Sequence, residues 1–332
     1  MSTEGVALQF RISGTGASLP ERVLTNHDLE KMVDTSDTWI RERTGIRERR
    51  IAADGVSTSD LAAGAITAAC DDAGITPGDL DAVIVATSTP DTVFPSTACW
   101  TQKKLGIRGM AAFDISAGCT GWLYALEVAA GLLAAGTARR VAVCGAEVMS
   151  RSVNWKDRST CVLFGDGAGA TIVEPSDSGS GYVSRNWGAD GNLAPVLYQP
   201  AGGSQLQASE ETVAKALHSV HMEGNAVFRH AVRSMSRAAK QAVKQAGIAV
   251  DAIDLLIPHQ ANARIIEATR ERVGIDRDRV YSIVDRYGNM SSATVPIAVD
   301  SARREGRIKD GDLVLMTAFG TGLTWAAGLL RW

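Results

Sequence analysis

AACDDAGITPGDLDAVIVA (residues 68–86) and QAVKQAGIAVDAIDLLIPH (residues 241–259) align without a gap. Each ends a helical stretch on Ala-Gly-Ile, carries an aspartate at the matched position (Asp81 and Asp254), and enters a short apolar run. Glycine just past the last helical residue is a common helix stop, and the run after it reads as a buried strand. Three further pairs follow in the same order. TQKKLGIR (101–108) matches TRERVGID (269–276), AGCTG (117–121) matches YGNMS (287–291), and RVAVCG (140–145) matches DLVLMT (312–317). Four matches in sequence mark an internal duplication of one α/β unit.

Between these segments the pattern alternates. Residues 59–73, 97–105 and 119–135 have helical periodicity, each closed by or soon followed by glycine, while 80–86, 110–115 and 140–144 read as strands. The expected fold class is therefore α/β with largely buried sheets. Two similar halves packed face to face would share a site between them, built from the loops around Cys119, His259, Asn289 and Phe319. The expected halves are residues 1–178 and 179–332, divided near the Gly/Ser-rich PSDSGSG (175–181). Residues 186–224 fall outside the repeat and read as an inserted cap. FGDGAGA (164–170) lacks the GxGxxG dinucleotide fingerprint and reads as a tight turn before the strand ATIVE.

Composition narrows the function. At 332 residues the chain has length for about two domains. Its 34 Lys and Arg against 37 Asp and Glu leave a net charge of -3, which argues against a nucleic-acid partner. The longest apolar stretch, 122–135, contains Glu127 and is too short for a membrane span. The first residues, MSTE, carry no secretory signal pattern, so a cytoplasmic address is expected. Five cysteines without zinc or redox spacing make a disulfide framework improbable and fit a reduced compartment.

Cys119 differs from Cys70, Cys99, Cys144 and Cys161, which read as core residues. It stands between a strand and a long helix, where the helix dipole favours a thiolate; position alone reads equally as a small core residue or a nucleophile. His259 ends a strand in PHQAN, the place of a structural histidine or of an acid, base or donor. Asn289 occupies the Cys119 position of the second repeat, as an N-cap or as a neutral donor aimed at the same site. AFGTGLTW (318–325) offers free backbone N–H groups after a strand. His218, His221 and His230 lack the carboxylate arrangement of a metal helix, and no metal is expected.

These pieces together resemble the β-ketoacyl-acyl carrier protein synthase III family of the thiolase-like superfamily. The resemblance covers TNHDLEKMVDTSDTWIRERTGIRERRIA, FDISAGCTG, FGDGAGA, MEGNAVFRHAV, IPHQANARII, GNMSSATVP and AFGTGLTW, almost the whole chain in one order. It implies a five-layered αβαβα fold with two similar halves, a homodimer, and a Cys–His–Asn triad on Cys119, His259 and Asn289. It implies an acyl-CoA starter condensed with malonyl-acyl carrier protein through an acyl-cysteine, with CoA thioesters as substrates and no cofactor. The backbone N–H groups of Cys119 and Thr321 would form the oxyanion hole. Trp39 and Arg158 would hold the CoA adenine, Arg43 its phosphates, and Asn225 and Asn262 the pantetheine. Phe94, contributed across the dimer, and Phe319 would bound the acyl pocket, the former favouring short starters. Arg229, Arg264 and Arg272 would meet the acidic carrier protein. Two departures stand out: Thr321 where relatives often carry glycine, and Glu271 where some carry a basic residue. The rival readings are an acyltransferase with a non-malonyl acceptor, which would release no carbon dioxide, and a non-catalytic synthase subunit, which an intact triad disfavours.

Overall fold

A computed structural model describes residues 9–332. The first half runs β1 (Phe10–Ser18), β2 (Val23–Thr25), α1 (Asn26–Glu30), α2 (Asp37–Thr44), β3 (Glu48–Arg50), α3 (Thr58–Ala73), β4 (Ala82–Ala86), α4 (Thr97–Lys104), β5 (Ala111–Ile115), α5 (Gly121–Ala134), β6 (Val141–Val148), α6 (Arg158–Cys161) and β7 (Asp166–Pro175). The second runs β8 (Gly181–Ala189), β9 (Leu197–Tyr198), α7 (Glu210–Ala214), β10 (His221–Met222), α8 (Gly224–Ala246), β11 (Leu255–Pro258), α9 (Ala263–Val273), α10 (Val284–Tyr287), α11 (Thr294–Arg304), β12 (Leu313–Gly320) and β13 (Thr324–Arg331).

The repeat read from sequence is a repeat of sheets. One sheet has the order β1-β7-β6-β4-β5 and the other β8-β13-β12-β11. In both, the two matched inner strands run parallel and the next two antiparallel. The counterpart of β5 in the second sheet is reduced to one bridge, Leu256 to Val280. The matched motifs have matched jobs. Gly74 and Gly247 close α3 and α8 at φ 69° and 67°, a conformation glycine adopts without steric cost. Asp81 accepts from the backbone N–H of Arg139 and Arg140 at the start of β6, and Asp254 from that of Leu313 at the start of β12. Each aspartate thereby pins a strand to its parallel neighbour.

Five layers result. Helices α5 and α11 lie between the sheets, where Trp122, Leu126, Ile297 and Val299 pack with residues of both. Helix α3 covers the outer face of the first sheet, with Ala62, Ala65, Ile66 and Ala69 against Val83, Val85 and Ala142. Helices α8 and α9 cover the second, with Ala238, Ala242 and Val273 against Leu256, Leu315 and Leu329. Strands buried on both faces account for the continuous apolar runs in β4, β6, β11 and β12.

Two expectations change. FGDGAGA is not a turn: from Asp166 on it is β7 itself, paired with β1 and β6. Gly169 answers to α11, since a Cβ on it would lie 2.6 Å from the backbone nitrogen of Ile297. Residues 186–189 are not cap. They finish β8, and Trp187 pairs with Ala326 of β13. Among the described residues no helix is long and apolar enough to cross a membrane.

Candidate active site

The two central helices begin at the same point of the two repeats, and that point is where the halves meet. Cys119 sits in a one-turn helix, 118–120, leading into α5, and Asn289 precedes the matching turn, 291–293, leading into α11. Their preceding glycines, Gly118 and Gly288, have φ of 56° and 66°. A Cβ on Gly118 would lie 2.6 Å from the Thr321 nitrogen, and one on Gly320 would lie 2.6 Å from the Cys119 nitrogen. Two glycines thus let the backbone around Cys119 and the backbone around Thr321 approach closely.

Cys119, His259 and Asn289 are all buried, at 9%, 2% and 7% exposure. The Cys119 Sγ lies 3.5 Å from the Ser291 hydroxyl. Burial pushes its thiol up to about 12, with the Ser291 hydrogen bond pulling the other way. Desolvation therefore outweighs the helix-dipole effect expected from the sequence. His259 is held by its backbone N–H on Thr317 O at 2.8 Å and by Nδ1 at 2.6 Å from the Thr294 hydroxyl. Burial lowers its pKa to about 3, so the imidazole is neutral at physiological pH. Asn289 Oδ1 accepts from the Ser291 N–H at 2.9 Å, which leaves the Nδ2 donor for the site.

Two cavities meet at Cys119. One, of about 320 Å³, is lined by Trp39, Arg43, Asn225, His259, Asn262 and Asn289, with Arg264 and Phe319 also in its wall. The other, of about 340 Å³, lies beyond the thiol between Ser88, Ser116, Met149, Val220, Ser291 and Thr321. Phe164 and Leu197 border both. The Arg43 and Arg158 guanidiniums stand 5.5 and 5.3 Å from the Trp39 ring centre, and Arg158 also donates to Asp34 O. Asn262 caps α9 and donates to Arg43 O.

Other sequence candidates lie elsewhere. Phe319 lines the first cavity and packs with Met235 and Ile265 beneath α8 and α9. Phe94 is 83% exposed beside Val93 at 84%, outside both cavities of its own chain. Arg229 is exposed on α8 one turn past Asn225. Arg272 stands with Arg237, Lys240 and Lys244 in a groove on the outer face of α8 and α9. Residues after β8 form the roof, supplying Leu197 to both cavities and Tyr198, Gln199 and Val220 to the chamber.

Sequence reading passed over three buried residues. Glu147, at the end of β6, accepts from Ser88 N–H, Thr89 and the Ser292 hydroxyl, tying the chamber wall to the turn after Asn289. Arg49 donates to Leu24 O, Asn26 Oδ1 and Val162 O, and burial lowers its pKa to about 10. Thr294 holds His259. The Glu147 and Arg49 partners lie far off in sequence, and no local motif announces any of the three.

The layered fold and the paired helix starts define the thiolase-like class. Residues 113–191 match the family described as 3-Oxoacyl-[acyl-carrier-protein (ACP)] synthase III, and residues 243–332 its C-terminal domain. The chain is 54% identical to the β-ketoacyl-[acyl-carrier-protein] synthase III of Caldanaerobacter subterraneus subsp. tengcongensis, covering 97% of each chain. It is 53% identical to that of Symbiobacterium thermophilum, again over 97% of each. The crystal structure of 3-oxoacyl-[acyl-carrier-protein] synthase III from Aquifex aeolicus VF5 superposes with a TM-score of 0.90 at 46% identity, covering 97% of this chain and 100% of that one. The chain belongs to the β-ketoacyl-acyl carrier protein synthase III family of condensing enzymes.

Proposed function

We propose that the two cavities meeting at Cys119 divide the two halves of one reaction. As a condensing enzyme of its family, the chain joins an acyl-CoA starter to malonyl-acyl carrier protein, initiating fatty acid synthesis. In the first half, Cys119 sulfur attacks the starter's thioester carbon. The C–S bond to CoA breaks, the Cys119 proton leaves on the CoA thiol, and the acyl group stays on Cys119 in the far chamber. The Cys119 and Thr321 N–H groups take the oxyanion.

In the second half, the carrier protein's pantetheine arm occupies the cavity that the CoA arm has left, between Asn225 and Asn262. His259 and the Asn289 Nδ2 donate to the malonyl thioester oxygen. The bond to the carboxylate breaks, carbon dioxide leaves, and the electron pair is held as an enolate. The enolate carbon attacks the acyl carbon, the bond to the Cys119 sulfur breaks, the thiolate takes a proton from solvent, and the β-ketoacyl product leaves on the carrier protein. Neutral donors suffice, because decarboxylation removes no proton from carbon. The thioester and carboxylate supply the driving force, and no cofactor is required.

The Trp39, Arg43 and Arg158 cluster suits a purine and its phosphates. The exposed Val93 and Phe94 fit burial against a second copy of the chain, which would bring Phe94 to the neighbouring chamber and favour short starters. Arg229, Arg264 and Arg272 offer positive charge to an acidic carrier protein, with Arg264 nearest the cavity. A cytoplasmic site of action accords with the free cysteines.

The carrying observation is Cys119 at the junction, with His259 and Asn289 in the wall of the entry cavity alone. The test is release of labelled carbon dioxide from malonyl-acyl carrier protein with a panel of acyl-CoAs. Starter-dependent release that vanishes in Cys119→Ala is expected. Acyl-enzyme formation without carbon dioxide would move the reading to acyl transfer onto another acceptor.

A further inference from the structure

We propose that Ser291 is a further catalytic residue: its hydroxyl donates a hydrogen bond to the Cys119 sulfur whenever that sulfur is charged, as nucleophile before acylation and as leaving group when condensation ends. The inference rests on Cys119 as the attacking group and adds the side chain that steadies its charge.

Backbone geometry singles Ser291 out. The one-turn helices that lead into α5 and α11 each open on a residue in the left-handed region, Gly118 at φ 56° and Ser291 at φ 46°. Glycine takes that conformation without steric cost. A residue with a Cβ is strained there, and such strain gathers at functional sites. Where the first half has glycine, the second has serine. The Ser291 backbone is pinned on both sides: its N–H donates to Asn289 Oδ1 at 2.9 Å, and its carbonyl accepts the N–H of Thr294. The side chain is buried, 3.5 Å from Cys119 Sγ, in the wall of the chamber beyond the thiol.

Charge decides the direction of that contact. A thiol can give its proton to a hydroxyl, but a thiolate has none to give, so the ionised sulfur takes a hydrogen bond only with the hydroxyl as donor. Hydrogen bonds to charged atoms are the stronger ones. Among the described residues, Ser291 is the one side chain within hydrogen-bond distance of the Cys119 sulfur. Glu147 also draws on the Ser291 hydroxyl, but its carboxyl already takes the Ser88 N–H and the Thr89 and Ser292 hydroxyls.

The surrounding charges leave this task to Ser291. Of the elements packed against the Cys119 turn, β12 and residues 291–293 carry no titratable group. Helix α5 carries Tyr124, which donates to Gly188 O, and Glu127, paired with Arg185. Strand β13 carries Arg331 at its far end. Glu147 on β6 opposes ionisation of Cys119, and His259 is neutral.

Alkylation of Cys119 by iodoacetamide at pH 8, followed on the whole enzyme by peptide mass spectrometry, reads the thiolate with no substrate present. Losing a hydrogen bond to a charged group raises a thiol's pKa by about one to two units, and the more basic sulfur's greater nucleophilicity offsets about half of that. Ser291→Ala should therefore alkylate about 3- to 10-fold more slowly than wild type. Ser291→Gly also lacks the hydroxyl but takes the left-handed backbone without strain, which keeps the test open where alanine disturbs folding; it should show the same loss. Acyl transfer from acyl-CoA to Cys119 should slow in step. A wild-type alkylation rate in the folded variants would overturn the proposal, and a loss confined to alanine would assign the effect to backbone packing and overturn it as well. Absence of carbon dioxide release by the wild type would count against the reaction assigned above, while the alkylation rates would still decide the role of Ser291.

Discussion

Gly320 and Cys119 approach so closely that a Cβ on the glycine would stand 2.6 Å from the cysteine's backbone nitrogen. Gly320 is the last residue of β12 in the second half, and Cys119 lies in the turn before α5 in the first. The same contact holds Ala117 O at 2.9 Å from that Cβ position. This contact between the duplicated halves therefore lies at the turn that carries the thiol and sets how closely that turn approaches the end of β12.

Gly320→Ala follows from that distance. The added methyl meets the backbone of residues 117–120, where no flexible side chain can give way. Either β12 or the Cys119 turn must move by a few tenths of an ångström or more. Misplacements of about 1 Å cost on the order of 100-fold in rate. The expectation is a folded protein, by circular dichroism, whose rate of Cys119 acylation falls about 10- to 100-fold. An unchanged acylation rate would show that the two N–H groups need no such close alignment.

Asn289→Asp separates the half-reactions. The Oδ1 of Asn289 accepts the Ser291 N–H, and aspartate preserves that bond. It replaces the Nδ2 donor with a carboxylate oxygen, which repels an enolate. Loss of one such donor costs about 100- to 1,000-fold. Carbon dioxide release should fall by that order while mass spectrometry still finds acylated Cys119. Equal loss of acylation would place Asn289 in the first half-reaction instead.

What the sequence made legible was whatever repeats or stands in a local pattern. Asp81 and Asp254, the glycine helix stops, and the matched places of Cys119 and Asn289 could all be read by aligning the chain with itself. What stayed hidden depends on packing across the halves. The strand identity of FGDGAGA required knowing that α11 presses on Gly169. The single-bridge remnant at Val280 has no strand-length apolar run to announce it. Phe319 faces α8 and α9 because of the sheet's orientation, and Arg49 is bound by acceptors as distant as Val162. Burial, which raises the Cys119 thiol, is likewise a property of the assembled layers and not of the SAGCTGW motif.

His259 predicts a pH dependence of stability with a definite sign. Its ordinary value is 6.5 and its folded value about 3. Between these, the unfolded chain binds a proton that the folded chain refuses. The folded state therefore has the full benefit above pH 6.5 and loses it as pH falls toward 3, by about 1.4 kcal/mol per pH unit within that window. Urea unfolding at pH 7, 6 and 5 should show the wild type losing stability more steeply than His259→Gln. Parallel slopes in the two proteins would mean that His259 titrates normally in the folded state.

Trp39→Ala tests the division of the cavity between two substrates that share a pantetheine arm. The Arg43 and Arg158 guanidiniums already stand against the Trp39 ring, so an adenine entering this cluster takes over a position that a cation–π contact now fills. Stacking of one base on an aromatic side chain is worth about 1–3 kcal/mol by alanine substitution, and part of that gain replaces the existing arginine contact. A carrier-protein arm has no adenine to place there. The KM for acyl-CoA should therefore rise about 5- to 100-fold, while the KM for malonyl-acyl carrier protein and the maximal rate of carbon dioxide release stay near wild type. Steady-state kinetics with each substrate varied in turn measure both. A matched rise in the two KM values would mean that Trp39 shapes the channel common to both substrates and does not hold the nucleotide.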